Sequence, residues 1–239
     1  MVSSPFGGVS GYRYELIQDV WNRLGFVVGG GTKVLEVGCG RAWLRGYLQD
    51  KGSSYIGLDL VIPDTSVGGE VPDIHGNACP LPFSDACFDR LICIDAYEHF
   101  PDPDHAVREF FRVLSPGGQM FLSTPNYGNV AGIVKWWMEQ FGGCEKDTWA
   151  PFGGWVRQAH ERPVTIRNVR RTFQTAGFSS GKLVGFEGEI HLGLLPWAAL
   201  PGFPESLLYR LQNISNRHGH WLSEHFPTLS LHQFWCWRK

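Results

Sequence analysis

Gly38 and Gly40 stand two apart in VLEVGCGRAW, residues 34–43, where an apolar run breaks into a turn. Glycines at that spacing let the backbone turn tightly and approach a ligand closely, which is how nucleotide-like molecules are received. Carboxylates and histidines recur at the ends of later segments: Asp59, Asp95, Glu98, His99 and His160. A carboxylate can accept two hydroxyl hydrogen bonds at once, and histidine takes up a proton near neutral pH. Holding a nucleotide-like or hydroxyl-bearing ligand and moving a proton are the chemistries these residues offer.

The turn alone leaves several ligand classes open. A dinucleotide fold wants G-x-G-x-x-G, with the third glycine allowing close helix–strand packing. Trp43 occupies that slot, and its indole argues against a nicotinamide-dependent oxidoreductase. No phosphate-cradling lysine follows, which excludes a P-loop. His218, His220 and His225 in HGHWLSEH lack the spacing of a zinc motif, so no metal is expected.

The elements that must position these residues follow from periodicity. Residues 12–24 place Leu16, Ile17, Val20, Trp21 and Leu24 at helical spacing, and Gly25 ends that helix. Lys33–Val37 reads as a strand. Residues 42–50 resume helical spacing with Trp43, Leu44, Tyr47 and Leu48 on one face, and SYIGLDL reads as a strand ending at Asp59. FDRLICID, 88–95, is apolar nearly throughout, as a strand buried on both faces should be. Asp102 and Pro103 read as N-cap and first-turn proline of a helix reaching Leu114; SPGG then reads as a turn and QMFLSTP as a strand. Thr165 is expected to cap a helix carrying Ile166, Val169, Phe173 and Ala176, which Gly177 closes. GKLVGFEGEI and LHQFWCWRK read as two final strands.

Strand and helix alternate, so an α/β fold is expected: a mostly parallel sheet with helices on both faces. One domain is expected over 1–239. Two aromatic-rich insertions, about 126–160 and 190–229, break the alternation; they are expected to cap the carboxyl edge of the sheet, where open α/β folds bind ligands. In the first, a lid, Val130, Ile133, Val134, Trp137 and Phe141 share one helical face and read as core packing, with Trp136 off that stripe. Trp149, Phe152 and Trp155 follow in a glycine-rich loop. Eight of the ten tryptophans lie beyond residue 130, which implies an aromatic-walled acceptor site.

Composition narrows the function. A net charge of −2 carries no global basic field, so nucleic acid is not an expected partner. Arg157, Arg162, Arg167, Arg170 and Arg171 are too few to alter that; they read as a solvated helix face or an anion contact. None of the six cysteines forms a CxxC pair, and neither a signal peptide nor a spanning run is visible, so a reduced, cytoplasmic protein is expected.

Glu36-Val-Gly38-Cys39-Gly40-Arg-Ala42 resembles motif I of the class I S-adenosylmethionine (SAM) dependent methyltransferases. Ala42 stands where many members carry a third glycine. The block from GNACPLPF through FDRLICIDAYEH and LSPGG to STPN, residues 76–126, is similar to the small-molecule, type 11-like branch of sugar and quinone O-methyltransferases. The resemblance implies a Rossmann-like, seven-stranded sheet. It implies SAM as cofactor and S-adenosylhomocysteine as product. It carries cofactor contacts onto Glu36, Gly38, Cys39, Gly40, Asp59, Leu60, Asn77, Ala78 and Asp95. Asn77 replaces the family's usual Asp beside the adenine amino group, and its carbonyl can still accept that hydrogen bond.

The expected acceptor is a small molecule, a hydroxyl of a sugar, glycolipid or quinone-like compound. His99, His160 and Glu98 are the candidate bases; each also reads as a loop or capping residue. Tyr97, Asn126, Tyr127, Trp136 and Trp155 are candidate acceptor contacts. A peripheral membrane or lipid-linked contact is a further expectation for the second insertion, where Trp and Leu lie near Arg. The sequence does not fix an oligomeric state. The competing reading is a SAM-binding protein without catalysis that acts as a partner or regulator.

Overall fold

The computed structural model describes residues 10–64, 66, 70–141, 162–179, 181–195 and 204–239. The first half runs α1 Ser10–Leu24, β1 Lys33–Val37, α2 Arg45–Asp50, β2 Ser54–Asp59, β3 Ile74–His75, β4 Phe88–Ile94 and α3 Pro103–Val113. There follow β5 Leu114–Pro125, α4 Val130–Gln140, α5 Ile166–Thr175, β6 Lys182–Gly185, α6 Ile190–Leu194, α7 Glu205–His225 and β7 His232–Arg238.

The seven strands form one sheet in the order β3-β2-β1-β4-β5-β7-β6. β1 pairs in parallel with β2 and β4, β2 with β3, and β4 with β5. β7 runs the other way. Its start meets the end of β5, through Asn126 N–H to Leu231 O, and its end meets the start, through Gly117 N–H to Lys239 O. The strand order reverses between β1 and β4, and a crevice for ligands opens at the carboxyl ends of such a pair.

Contacts divide the chain into two compact units. One comprises Trp21–Ser123, Val169–Lys182 and Trp235–Lys239 and carries the glycine turn. The other, Met1–Val20, Thr124–Asn168 and Leu183–Phe234, holds α4, α6 and α7.

In the turn-bearing unit the expected elements form for the expected reasons. β1 is buried from Val34 to Val37 and β4 from Leu91 to Ile94, as strands covered on both faces must be. Asp102 Oδ1 accepts from His105 N–H at 2.9 Å and Pro103 opens α3. Thr165 Oγ1 accepts from Asn168 N–H at 3.2 Å to start α5. Phe173 of α5 centres an aromatic core: its ring lies 4.9 Å from Trp237, 5.2 Å from Phe178 and 6.1 Å from Tyr97.

Four local expectations change. The helix read over 42–50 begins at Arg45, because Ala42 takes a left-handed conformation, φ 48°. SPGG does not separate helix from strand. β5 starts at Leu114, opposite Phe88, and rejoins β4 at Gln119, opposite Arg90, so the tetrapeptide bulges out of a continuous strand. The strand read over 181–190 ends at Gly185, where a Cβ would fall 2.3 Å from Ser230 Oγ; a 3₁₀ turn, Glu187–Glu189, leads into α6. The lid helix α4 forms, capped by Asn129 Oδ1 on Gly132 N–H at 2.9 Å, but its apolar stripe is not core. Ile133 (65%), Trp137 (58%) and Phe141 (69%) are exposed, while Ala131 and Lys135 are buried.

These placements separate core from surface. Phe173→Ala should cost about 3–5 kcal/mol, whereas Ile133→Ser should change stability by under about 0.5 kcal/mol. Urea unfolding of both variants measures the difference; an Ile133→Ser loss as large as that of Phe173→Ala would contradict an exposed stripe.

Candidate functional site

The turn after β1 is held by β2. Gly38 N–H and Cys39 N–H both donate to Leu58 O, at 2.8 and 3.2 Å. Gly40 N–H donates to Asp59 Oδ2 at 2.7 Å, and Val61 N–H donates to Asp59 Oδ1 at 2.8 Å. Each carboxylate oxygen keeps a further lone pair for a ligand hydroxyl. Gly38 has φ 74°, and a Cβ there would lie 2.3 Å from the Ala96 Cβ. That close approach brings the carboxyl ends of β1 and β4 together, so glycine is required on two counts. At Gly40, φ 52°, an added Cβ would meet nothing within 4 Å. Open ground beside a turn of small residues suits a bulky nucleoside ligand.

Behind the turn lies a buried acid. Tyr55 OH donates to Glu36 Oε2 at 2.5 Å. Burial pushes the Glu36 carboxyl up to about 8, against the pull of the Tyr55 hydrogen bond and with a further push from Asp59. The same burial raises the Cys39 thiol to about 12, so it stays protonated. Arg45 and Asp73 complete the frame, and neither was singled out in the sequence. Asp73 Oδ2 accepts from Gly57 N–H at 2.8 Å and from Arg45 at 3.0 Å. Arg45 also pairs with Glu70 at 2.8 Å and lies over the Tyr55 ring, 5.4 Å from its centre. The pair is 28 residues apart in sequence, so no local pattern signals it.

The other expected residues of this unit divide. Ala78 is buried and Leu60 exposed. Asn77 is exposed, and its Oδ1 accepts from Cys79 N–H at 3.2 Å, an Asx turn that leaves one lone pair of the carbonyl. Asp95 follows β4 with φ 47°. Its Oδ1 accepts from Ser123 Oγ at 2.6 Å, and its N–H donates to Ser123 O. A non-glycine residue held left-handed at a strand end is the kind of strain that gathers at functional sites. A 3₁₀ turn, Tyr97–His99, comes next. His99 is half-buried, and its Nε2 stands 3.9 Å from Oε1 of the buried Glu98. Tyr97 is buried with its ring against Phe100 and Phe173; it packs the core and is not the rim residue expected.

In the helical unit Asn126 is also a correction. It is wholly buried, with Nδ2 donating to Thr228 O and Ser230 O, at 3.1 and 3.0 Å, and Oδ1 accepting from Gly128 N–H at 2.9 Å. Both amide hydrogens are engaged by backbone, so Asn126 is a loop tie and not an acceptor contact. Tyr127 is buried as well, under the Lys135 ammonium at 4.9 Å from its ring centre. Trp136 is exposed. His160 and Trp155, with Trp149 and Phe152, lie outside the described residues. Sequence reading also missed a buried pair, His232 Nδ1 and Glu189 Oε2 at 2.8 Å, with no local signal across 43 residues. Among the described residues no cluster of His, Cys, Asp or Glu could hold a metal ion.

Comparison with known proteins decides what the turn belongs to. Residues 35–122 match the family model described as a methyltransferase domain. A SAM-dependent methyltransferase from Archaeoglobus fulgidus superposes with a TM-score of 0.58 at 16% identity, covering 98% of this chain and 96% of its own. Residues 35–122 thus carry a methyltransferase domain, and the chain is similar to the class I SAM-dependent methyltransferases. SAM is its cofactor, and the open turn at Gly40 beside the Asp59 carboxylate fits that molecule. The demethylmenaquinone methyltransferase of Listeria welshimeri is 29% identical to this methyltransferase over 180 residues, 66% of the chain and 75% of the relative. The ubiquinone biosynthesis O-methyltransferase of Pseudomonas fluorescens is 34% identical over 106 residues, 40% of the chain and 45% of that protein.

The buried Glu36 gives the methyltransferase a pH signature. Below about 4.5 the acid is protonated folded and unfolded alike. Between 4.5 and about 8 the unfolded chain releases the proton while the fold retains it, so stability falls as pH rises. Glu36→Gln should remove this component, worth on the order of a few kcal/mol. Denaturant unfolding across that range checks it; equal pH slopes in both proteins would place the titration elsewhere.

Proposed function

We propose that this methyltransferase modifies a hydroxyl of a quinone-like aromatic acceptor. The observation that carries the cofactor half is the Gly40 N–H bond to Asp59 Oδ2, which aligns an open glycine turn with a carboxylate that retains free lone pairs. The quinone-like acceptor is supported by the names of the relatives from Listeria and Pseudomonas, and the hydroxyl by that of the Pseudomonas O-methyltransferase alone.

When bound, SAM supplies a methyl group already activated on a sulfonium. The chain must then hold, orient and exclude water. Asp59 accepts the ribose hydroxyls. The free lone pair of Asn77 Oδ1 accepts from the adenine amino group, with Leu60 and the buried Ala78 beside the base. Gly38, Cys39 and Gly40 admit the rest of the cofactor, with Asp95 at its methionine end. Glu36 is buried under Tyr55 and braces the turn from behind. His99, oriented by the neighbouring Glu98 carboxylate, takes the proton from the acceptor hydroxyl. Trp136, His160 and Trp155 remain acceptor-side proposals from the first insertion. Five described cysteines are free thiols, which suits a reducing, cytoplasmic setting.

Asp59→Asn should weaken SAM binding at least tenfold, about 1.4 kcal/mol, in titration calorimetry; unchanged affinity would remove Asp59 from the cofactor site. His99→Ala should lower turnover about a hundredfold or more while SAM affinity holds. Mass spectrometry of products from hydroxylated quinones reads turnover and separates oxygen from ring-carbon methylation. Tight SAM binding with no product from any acceptor class would instead favour a non-catalytic partner.

A further inference from the structure

α7 exposes apolar side chains away from its packed face, where Leu211 and Leu222 are half-buried. Its buried positions are Ser215, Gly219 and Ser223, with Gly219 packed so closely that a Cβ would lie 2.9 Å from the Glu187 Cβ. Among its exposed positions are four large apolar or aromatic residues, Leu207 (44% exposed), Tyr209 (66%), Ile214 (56%) and Trp221 (54%). Leu207, Ile214 and Trp221 are spaced by seven residues, about 20° short of two full turns, and so form one stripe along the helix. A helix that faces only water places such residues inward.

Two arginines and two histidines flank the stripe, with one acid, Glu224, on the arginine side. Arg210 and Arg217 are exposed and lie about 40–60° to one side of Ile214. His218 and His225 are exposed on the other side. The acid nearest the arginines, Glu224, is engaged by His220 at 3.5 Å. Trp221 stacks on His225 at 4.6 Å and meets the exposed Phe226 edge-on at 5.7 Å, giving the helix an aromatic end. α4, in the same unit, likewise exposes Ile133, Trp136, Trp137 and Phe141, with Ala131 and Lys135 inside.

We propose that α7 lies in the plane of an anionic lipid surface, with Leu207, Ile214 and Trp221 in the headgroup–acyl boundary and Arg210 and Arg217 on the phosphates. Apolar side chains directed outward with cationic neighbours are what such an interface selects. Tryptophan suits that depth, where its ring is apolar and its N–H reaches polar headgroups. A second copy of the chain is a poorer occupant, because its stripe would bring the same cations face to face. The helix does not cross the bilayer: no helix among the described residues is long and apolar enough to do so. This inference is independent of the acceptor proposed above.

The test is sedimentation of the full chain with vesicles of equal parts phosphatidylcholine and phosphatidylglycerol, against phosphatidylcholine alone. Binding to the anionic vesicles only, weakened by salt, is expected. Arg210→Ala/Arg217→Ala should lower the partition constant about fivefold per arginine. Ile214→Glu/Trp221→Glu should abolish binding while melting temperature and SAM affinity stay as in the parent, since both positions are exposed. Equal partition onto both vesicle types, or binding untouched by the Glu pair, would overturn the assignment. So would no vesicle binding, with or without a dimer in sedimentation velocity that the Glu pair dissociates.

Discussion

The site depends on one hydrogen bond, from Gly40 N–H to Asp59 Oδ2. It ties the turn after β1 to the end of β2, and the parallel register of those strands brings the two within reach. The bond aligns the backbone and charge of a cofactor site in one step. Gly38 makes the approach feasible from the other side, because any larger residue would collide with Ala96 after β4. The three strand ends are thus fastened together by groups too small or too short to be replaced by bulk hydrophobic packing.

Electrostatics reinforce this frame. Glu36 sits behind the turn in a dry setting where its carboxyl is held neutral to well above the ordinary range, with Tyr55 as its donor. Placing a neutral acid there leaves Asp59 as the carboxylate next to the ligand ground, free of a second full negative charge at its back. Arg45 and Asp73 then clamp β2 from the solvent side. Cofactor recognition and local stability share the same side chains, so a substitution in this cluster tests both.

The helical unit follows a different logic. Its interior combines apolar side chains such as Ile17, Ile190 and Phe234 with buried polar ties: Asn126 and Asn129 on loop carbonyls, Ser215 and Ser223 on α7, and the Glu189–His232 pair. Its apolar side chains on α4 and α7 face outward. Exposed apolar side chains on two helices of one unit are suited to meeting something other than water, and the arginines beside the α7 stripe underlie the proposal of an anionic surface.

Much was legible along the chain. The strands at Lys33–Val37, Ser54–Asp59 and Phe88–Ile94, the caps at Asp102 and Thr165, and the glycine turn are signals carried by neighbours within a few residues, and such signals survive whatever the remainder does. The motif block determined the cofactor class because its residue types and spacing recur together. What the linear pattern could not decide was direction. A stripe such as Ile133, Trp137 and Phe141 specifies a face but not whether that face turns inward, since both choices satisfy the same periodicity. Asn126 and Tyr97 looked like acceptor contacts until partners 102 and 76 residues away engaged or covered them. The Arg45–Asp73 clamp arises the same way. These are long-range pairings, set by how the sheet assembles, and only the tertiary structure decides them.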